Sequence, residues 1–366
     1  MVCSRRSFLG WPAMLLARPA ATGNILVVVQ LAGGNDGLNT VVPYEDDEYA
    51  RRRTTLRLSA AQVRKIAPGT GLHPEAAGFE RLFKDGCLSI WQAVGYPNMH
   101  REHGVAMRSW QTAHPDPSGR ETGWLGRAAD QVSDAEEGNV PAVFVGGIGK
   151  PLTLQARRVF TPALREAKEW TLAADLSGAS KAWEAARRVA AEMRRGSRVD
   201  YPQCALAQSF RTVAQLIRAE LGIAVFLVEH GGPPPGGYDN HANQAGHHGV
   251  LLRELSGVMA AFCEDLAADG LLNRTLIMTY SEFGRTVSEN GRHGTNHGAA
   301  APMFLAGGKV KGGLHGSPPD LKNLEGDAPR AQIDFRPVYA TVLERWLGWP
   351  SEPVLEGRYP LLDLFV

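Results

Sequence analysis

The sequence predicts an α/β fold: a mostly parallel central sheet with helices on both faces. Three observations carry this. Within the strand expected over residues 24–31, Ile25-Leu26-Val27-Val28-Val29 is a continuous apolar run, β-branched at all but Leu26, as suits a strand buried on both faces. Apolar runs closed by Gly-rich or polar loops recur at residues 88–94, 140–145, 223–228, 275–280 and 302–305. Between several of them lie stretches with apolar residues at helical spacing, and this alternation is the mark of an α/β sheet.

Taken in order, the chain opens on Ser4-Arg5-Arg6-Ser7-Phe8-Leu9 and continues into an apolar stretch at residues 11–17, which Arg18 and Pro19 interrupt. A paired arginine followed by bulky apolar residues predicts a twin-arginine export signal over residues 1–23, processed at about 20–24. The expected consequences are a partner in the twin-arginine machinery and a periplasmic or otherwise exported location. The stretch is too short for a stable membrane span. The first strand follows at once and ends in the turn-forming cluster Ala32-Gly33-Gly34-Asn35-Asp36-Gly37.

Helical periodicity predicts helices over residues 163–195, divided near Gly178, and over 205–221, 248–268 and 334–347. In the second, Leu206, Phe210, Val213, Leu216 and Ile217 share a face. In the third, Leu251, Leu252, Leu255, Val258, Met259 and Phe262 do. The run from Gly231 to Gly237 with three central prolines reads as a rigid loop rather than a linker, so residues 24–366 are expected to form a single domain.

Composition narrows the function. The chain has 366 residues, 44% of them hydrophobic, which is ample for a core. A net charge of +1 argues against a nucleic-acid partner, because such surfaces concentrate Lys and Arg. Cys87, Cys204 and Cys263 are too few and too scattered for a disulfide framework and read as buried apolar residues. Trp110 and Trp124 read as core. The sequence holds no dinucleotide G-x-G-x-x-G, no phosphate loop and no G-x-S-x-G nucleophile elbow.

Chemistry is expected at the carboxyl ends of the strands, where loops converge. Polar residues cluster there repeatedly: Asn35, Asp36 and Asn39; Asn98, His100, Arg101, Glu102 and His103; Asp239, Asn240 and His241; Ser281, Glu282 and Arg285; then His293, Asn296 and His297. Carboxylates and imidazoles gathered from several loops are what a divalent metal such as zinc or manganese needs.

The stretches Gly33-Gly34-Asn35-Asp36-Gly37-Leu38-Asn39-Thr40, Val94-Gly95-Tyr96-Pro97-Asn98, Gly123-Trp124-Leu125-Gly126-Arg127, Tyr238-Asp239-Asn240-His241, Ser281-Glu282-Phe283-Gly284-Arg285 and Gly294-Thr295-Asn296-His297-Gly298 together resemble the DUF1501 family of exported bacterial proteins, from about residue 24 to about 350. That family is similar to the alkaline phosphatase and sulfatase superfamily. The resemblance implies an alkaline-phosphatase-like core and hydrolysis of phosphate or sulfate esters. It further implies a divalent cofactor (Zn, Mn, Ca or Mg) held by Asp36, Asp239, His241, Glu282 and His297. Arg101, Glu102, His103 and Arg285 are its candidate catalytic residues, the two arginines for bidentate capture of an anionic ester.

The sequence departs from that pattern in places. Asp239 and His241 are more tightly spaced than the superfamily pair, Phe283 stands where a second-site His is expected, and Asn296 replaces an Asp. One metal site is therefore expected rather than two. Glu102 falls where relatives carry a Ser that could act as nucleophile. The competing expectation is a non-catalytic binding or assembly protein of the cell envelope that keeps the fold.

Overall fold

A computed structural model describes residues 23–132, 140–171, 180–232 and 236–366. The predicted signal segment, the division at Gly178 and the central prolines of the Gly231–Gly237 loop lie outside the described residues.

The sheet is built from β1 (Ile25–Leu31), β2 (Leu88–Gly95), β3 (Ala142–Val145), β4 (Ala163–Leu164), β5 (Val225–His230), β6 (Thr275–Ser281), β9 (Ala301–Ala306), β10 (Gly313–His315) and β11 (Ile333–Asp334). The intervening β7 (Arg285–Glu289) and β8 (Thr295–His297) form a separate hairpin. The order across the main sheet is β10-β2-β9-β6-β1-β5-β3-β4, with β11 also on β2. Only β9 runs antiparallel to its neighbours among these strands. The sheet is thus mostly parallel, and β1 sits near its centre between β5 and β6.

Period-2 alternation on β1 divides the core. Ile25, Val27, Val29 and Leu31 face a cluster with α5 (Ala205–Arg218) and α6 (Gln244–Ala267), together with α1 (Ala77–Lys84) and α4 (Ser180–Arg195). Leu26 and Val28 face a second cluster with α2 (His103–Thr112), α3 (Trp124–Val132) and α7 (Phe335–Thr341). Helices therefore cover both faces, and Trp110 and Trp124 are buried in the second cluster. Among the described residues Cys87, Cys204 and Cys263 are free, Cys263 buried as expected and the other two only half-buried, while Cys3 lies in the predicted signal segment.

Three boundaries differ from expectation. Ala163 and Leu164 do not begin a helix; they add the edge strand β4 beside Phe144 and Val145. Two apolar residues have no period, and the open sheet edge offers their backbone a ladder. The predicted 248–268 helix starts earlier, at Gln244, after Asn243 in the left-handed region at φ 45°. The last helix continues as a π turn over Val342–Leu347.

Candidate metal centre

The carboxyl ends of β1, β5 and β6 meet in one place because the β1 loop is made of glycine where it must be. Gly33 at φ 115° has no room for a Cβ, which would meet Asp239 N at 2.4 Å. A Cβ on Gly34 would lie 2.3 Å from the Phe283 ring. Only glycine permits both the backbone conformation and this approach.

On that platform, Asp239 from the β5 loop, His297 from β8 and His103 at the start of α2 bring ligand atoms within 4.8 Å of one another. His297 Nδ1 lies 2.6 Å from Arg101 O; a carbonyl only accepts, so the imidazole donates there and Nε2 carries the lone pair. That Nε2 is 3.3 Å from Asp239 Oδ1. His103 Nδ1 lies 3.0 Å from Glu282 Oε1, which likewise leaves Nε2 as the lone-pair atom. His103 Nε2 is buried without a hydrogen-bond partner among the described residues and lies 3.4 Å from Asp239 Oδ1. His241 Nε2 lies beside this group, 2.9 Å from Asp239 Oδ1 and 3.0 Å from His297 Nε2.

Two imidazole lone pairs aimed at a carboxylate repel one another unless a cation or proton stands between them. Burial disfavours charge on His103, but the hydrogen bond and charge of Glu282, with the charge of Asp239, outweigh it and raise its pKa. Burial lowers that of His297, against the Arg101 carbonyl and with help from Arg285. Burial would raise Asp239, yet the hydrogen bond and charge of Arg285 hold it below the ordinary carboxylate range. Imidazoles fixed by a carboxylate or a carbonyl behind them are how proteins orient ligands to a metal. The residues present therefore fit a divalent ion.

Glu282 is brought to this centre behind His103 rather than among the converging atoms. It is 1% exposed, and Oε1 accepts from Gly33 N at 2.8 Å as well as from His103. Phe283 walls the site, stacking on the His297 ring at 4.7 Å.

Four other predicted positions stand elsewhere or are already engaged. Asp36 is not among the converging ligand atoms, and its oxygens accept from Arg53 at 2.6 and 2.9 Å and from Gln244. Arg285 is 2% exposed and donates to Asp239 Oδ1 at 2.7 Å and to the carbonyls of Gly33, Gly34, Tyr238 and Thr295. It ties three loops together, and those bonds occupy the fork that bidentate anion capture would need. Arg101 points its guanidinium at Glu325 O and serves the site through its own carbonyl. Glu102 is exposed and caps α2, accepting from Gly104 N at 3.0 Å and Val105 N at 2.8 Å. An acidic residue just before a helix is favoured there by the orphan amides and the helix dipole.

Sequence reasoning missed Arg53. It is fully buried, and its five N–H donors meet Asp36, Asn39, Thr286 O and Val287 O.

Fold and cluster together define an α/β protein with a candidate mononuclear metal centre at the carboxyl edge of its sheet. The chain belongs to the DUF1501 family, described as proteins of unknown function, whose model matches residues 92–346. A search of curated proteins returned no match. Similar solved structures include a sulfatase from Pseudoalteromonas sp., 12% identical with a TM-score of 0.41, covering 98% of this chain and 75% of that one. A protein in the alkaline phosphatase superfamily from Vibrio parahaemolyticus is 9% identical, with a TM-score of 0.42 over 99% of this chain and 80% of that one. The C-terminal periplasmic domain of EcEptC from Escherichia coli, in complex with Zn, is 10% identical, with a TM-score of 0.39 over 80% and 77%.

Proposed function

We propose that this protein is a metal-dependent hydrolase of phosphate or sulfate esters, exported through the twin-arginine route, with one metal centre held by His103, Asp239, His241 and His297. The observation that supports it is the pair of imidazole nitrogens, each fixed as a lone-pair donor by a partner on its other side, converging on one carboxylate oxygen. Three nitrogens and one oxygen suit a zinc-type ion better than calcium or magnesium, which prefer all-oxygen sets. Such an ion, when bound, supplies Lewis acidity at the ester oxygen.

The chain's own residues do the rest. Glu282 holds the proton at His103 Nδ1 and Arg101 O holds the one at His297 Nδ1, so both rings present Nε2 without rotating. Arg285 restrains Asp239 and keeps it ionised. Phe283 closes one wall against water. Glu102 is committed to capping α2, which favours direct attack by water over a covalent step on that residue. The same commitment, with Arg285 saturated, is what favours the alternative of a non-catalytic binding protein.

Metal content of protein purified without chelator, together with turnover of an aryl phosphate and an aryl sulfate, tests the reading. His103→Ala and Asp239→Ala are expected to lose most of the metal and all turnover while remaining folded. Wild-type protein free of metal and without turnover on either ester would leave the binding protein standing.

A further inference from the structure

Far from the metal centre, α4 carries an outer face that the hydrolase reading does not use. Its inner face, Ala182, Ala185, Ala186 and Val189, is buried against the core. Trp183 is 47% exposed and is the only aromatic among the exposed large apolar side chains of the described residues. Arg187 follows it by four residues and Arg194 follows Arg187 by seven, so the three share one stripe of solvent-facing surface. Arg188 is exposed beside them. The helix sequence has five cations, Lys181, Arg187, Arg188, Arg194 and Arg195, against Glu184 and Glu192, in a chain whose net charge is only +1. Within the described residues, Glu192 is taken by Arg195, while Arg187, Arg188 and Arg194 have no acidic partner.

The location adds a second argument. Arg188 lines a hollow with Gly23, Ile25, Ile223 and Arg274. Ile25 opens β1, while Ile223 and Arg274 lie just ahead of β5 and β6. Thus α4 stands at the amino ends of the parallel strands, the pole opposite the His–Asp cluster. The chain also enters the described fold there, at Gly23, directly after the segment whose sequence contains the apolar residues 11–17.

We propose that this pole, with the Trp183–Arg187–Arg194 stripe of α4 as its contact, docks on an anionic lipid surface. An exposed Trp among arginines on one helix face matches the bilayer interface, where the ring sits at headgroup depth and guanidinium groups pair with anionic headgroups. Docking in this way turns the metal centre away from the bilayer, toward solvent. The inference does not depend on the hydrolase reading.

The test is flotation of the full chain with vesicles of phosphatidylcholine alone and of phosphatidylcholine mixed with phosphatidylglycerol. Binding to the mixed vesicles is expected, weakened by salt, and reduced about tenfold or more by Arg187→Glu/Arg188→Glu/Arg194→Glu. Trp183→Ala should weaken it further, while the corresponding triple Lys variant should retain it and so guards against a folding defect. Equal binding to both vesicle types, or binding untouched by these substitutions, would assign it to the apolar N-terminal residues and overturn the proposal. So would no binding, or binding of duplex DNA in place of vesicles.

Discussion

Arg53 and Glu102 illustrate how a side chain's partner, rather than its identity, decides its role. Arg53 neutralises Asp36 in a site from which water is excluded, and removing one half strands a buried charge. Arg53→Met is therefore expected to cost about 3–5 kcal/mol in urea unfolding, with metal content per folded molecule unchanged. Glu102→Ala should cost about 1 kcal/mol or less, the worth of a cap, and leave metal content as it was. A loss of metal in the Glu102 variant would return that residue to the site. Neither role was legible beforehand. Arg53 ends the run Arg51-Arg52-Arg53, which in sequence looks like a solvated charge cluster, and only Arg53 is turned inward. Asp36 resembled a ligand because it follows the first strand; the arginine that claims it lies 17 residues further on. His103, by contrast, stood in a polar strand-end cluster and does reach the centre.

At the scale of elements, strands with uninterrupted apolar character were readable because burial on both faces leaves no alternative composition. The helix-versus-strand choice at Ala163 and Leu164 was not, since sheet pairing settles it. The junction of β5 with α6 shows a further property that only packing creates. His230, at the end of β5, places Nε2 3.1 Å from Leu251 O in α6, and Glu254 lies 4.0 Å away. His248, inside α6, meets Asn35 Oδ1 at 3.0 Å, with Asp36, His73 and Arg53 around it. Burial lowers the pKa of His230 to about 4 and that of His248 to about 3. Both folded values lie below the unfolded value of about 6.5, so the unfolded chain binds more protons as the solution is acidified. Their contribution is present in full above that value and is lost as pH falls toward 4, with a slope approaching about 1.4 kcal/mol per pH unit for each group. Urea midpoints measured from pH 7 to pH 4.5 should fall, and His248→Gln should flatten the dependence. A flat wild-type profile would count against burial of neutral imidazoles at this junction.

The whole molecule is organised around a strand that lies almost at the start of the described chain. β1 is hydrogen-bonded along its length to β5 on one side and β6 on the other, so it joins the two halves of the sheet. Its first residues are also pinned by the far end of the chain: Asn24 Nδ2 donates to Trp346 O at 2.8 Å, and Trp346 Nε1 donates to Ile25 O at 2.9 Å. Processing near residues 20–24, expected from the sequence, keeps both of these bonds where it spares Asn24. A chain beginning at Asn24 is expected to unfold at the same urea concentration as the full chain. One beginning at Val28 removes the amino-terminal half of the central strand, with the pairings of Leu26 and Val27 to β5 and of Ile25, Leu26 and Val27 to β6, and should not fold cooperatively, because the first residues of both neighbours lose their shared partner. The export address, in turn, should be separable from the fold. Changing Arg5 and Arg6 to Lys is expected to leave precursor in the cytoplasm, with the urea midpoint of the purified protein unaltered, since the pair is read by the export machinery. Unimpaired appearance of that variant in the periplasmic fraction would refute the twin-arginine assignment, and a lowered midpoint would show that the leading residues belong to the fold.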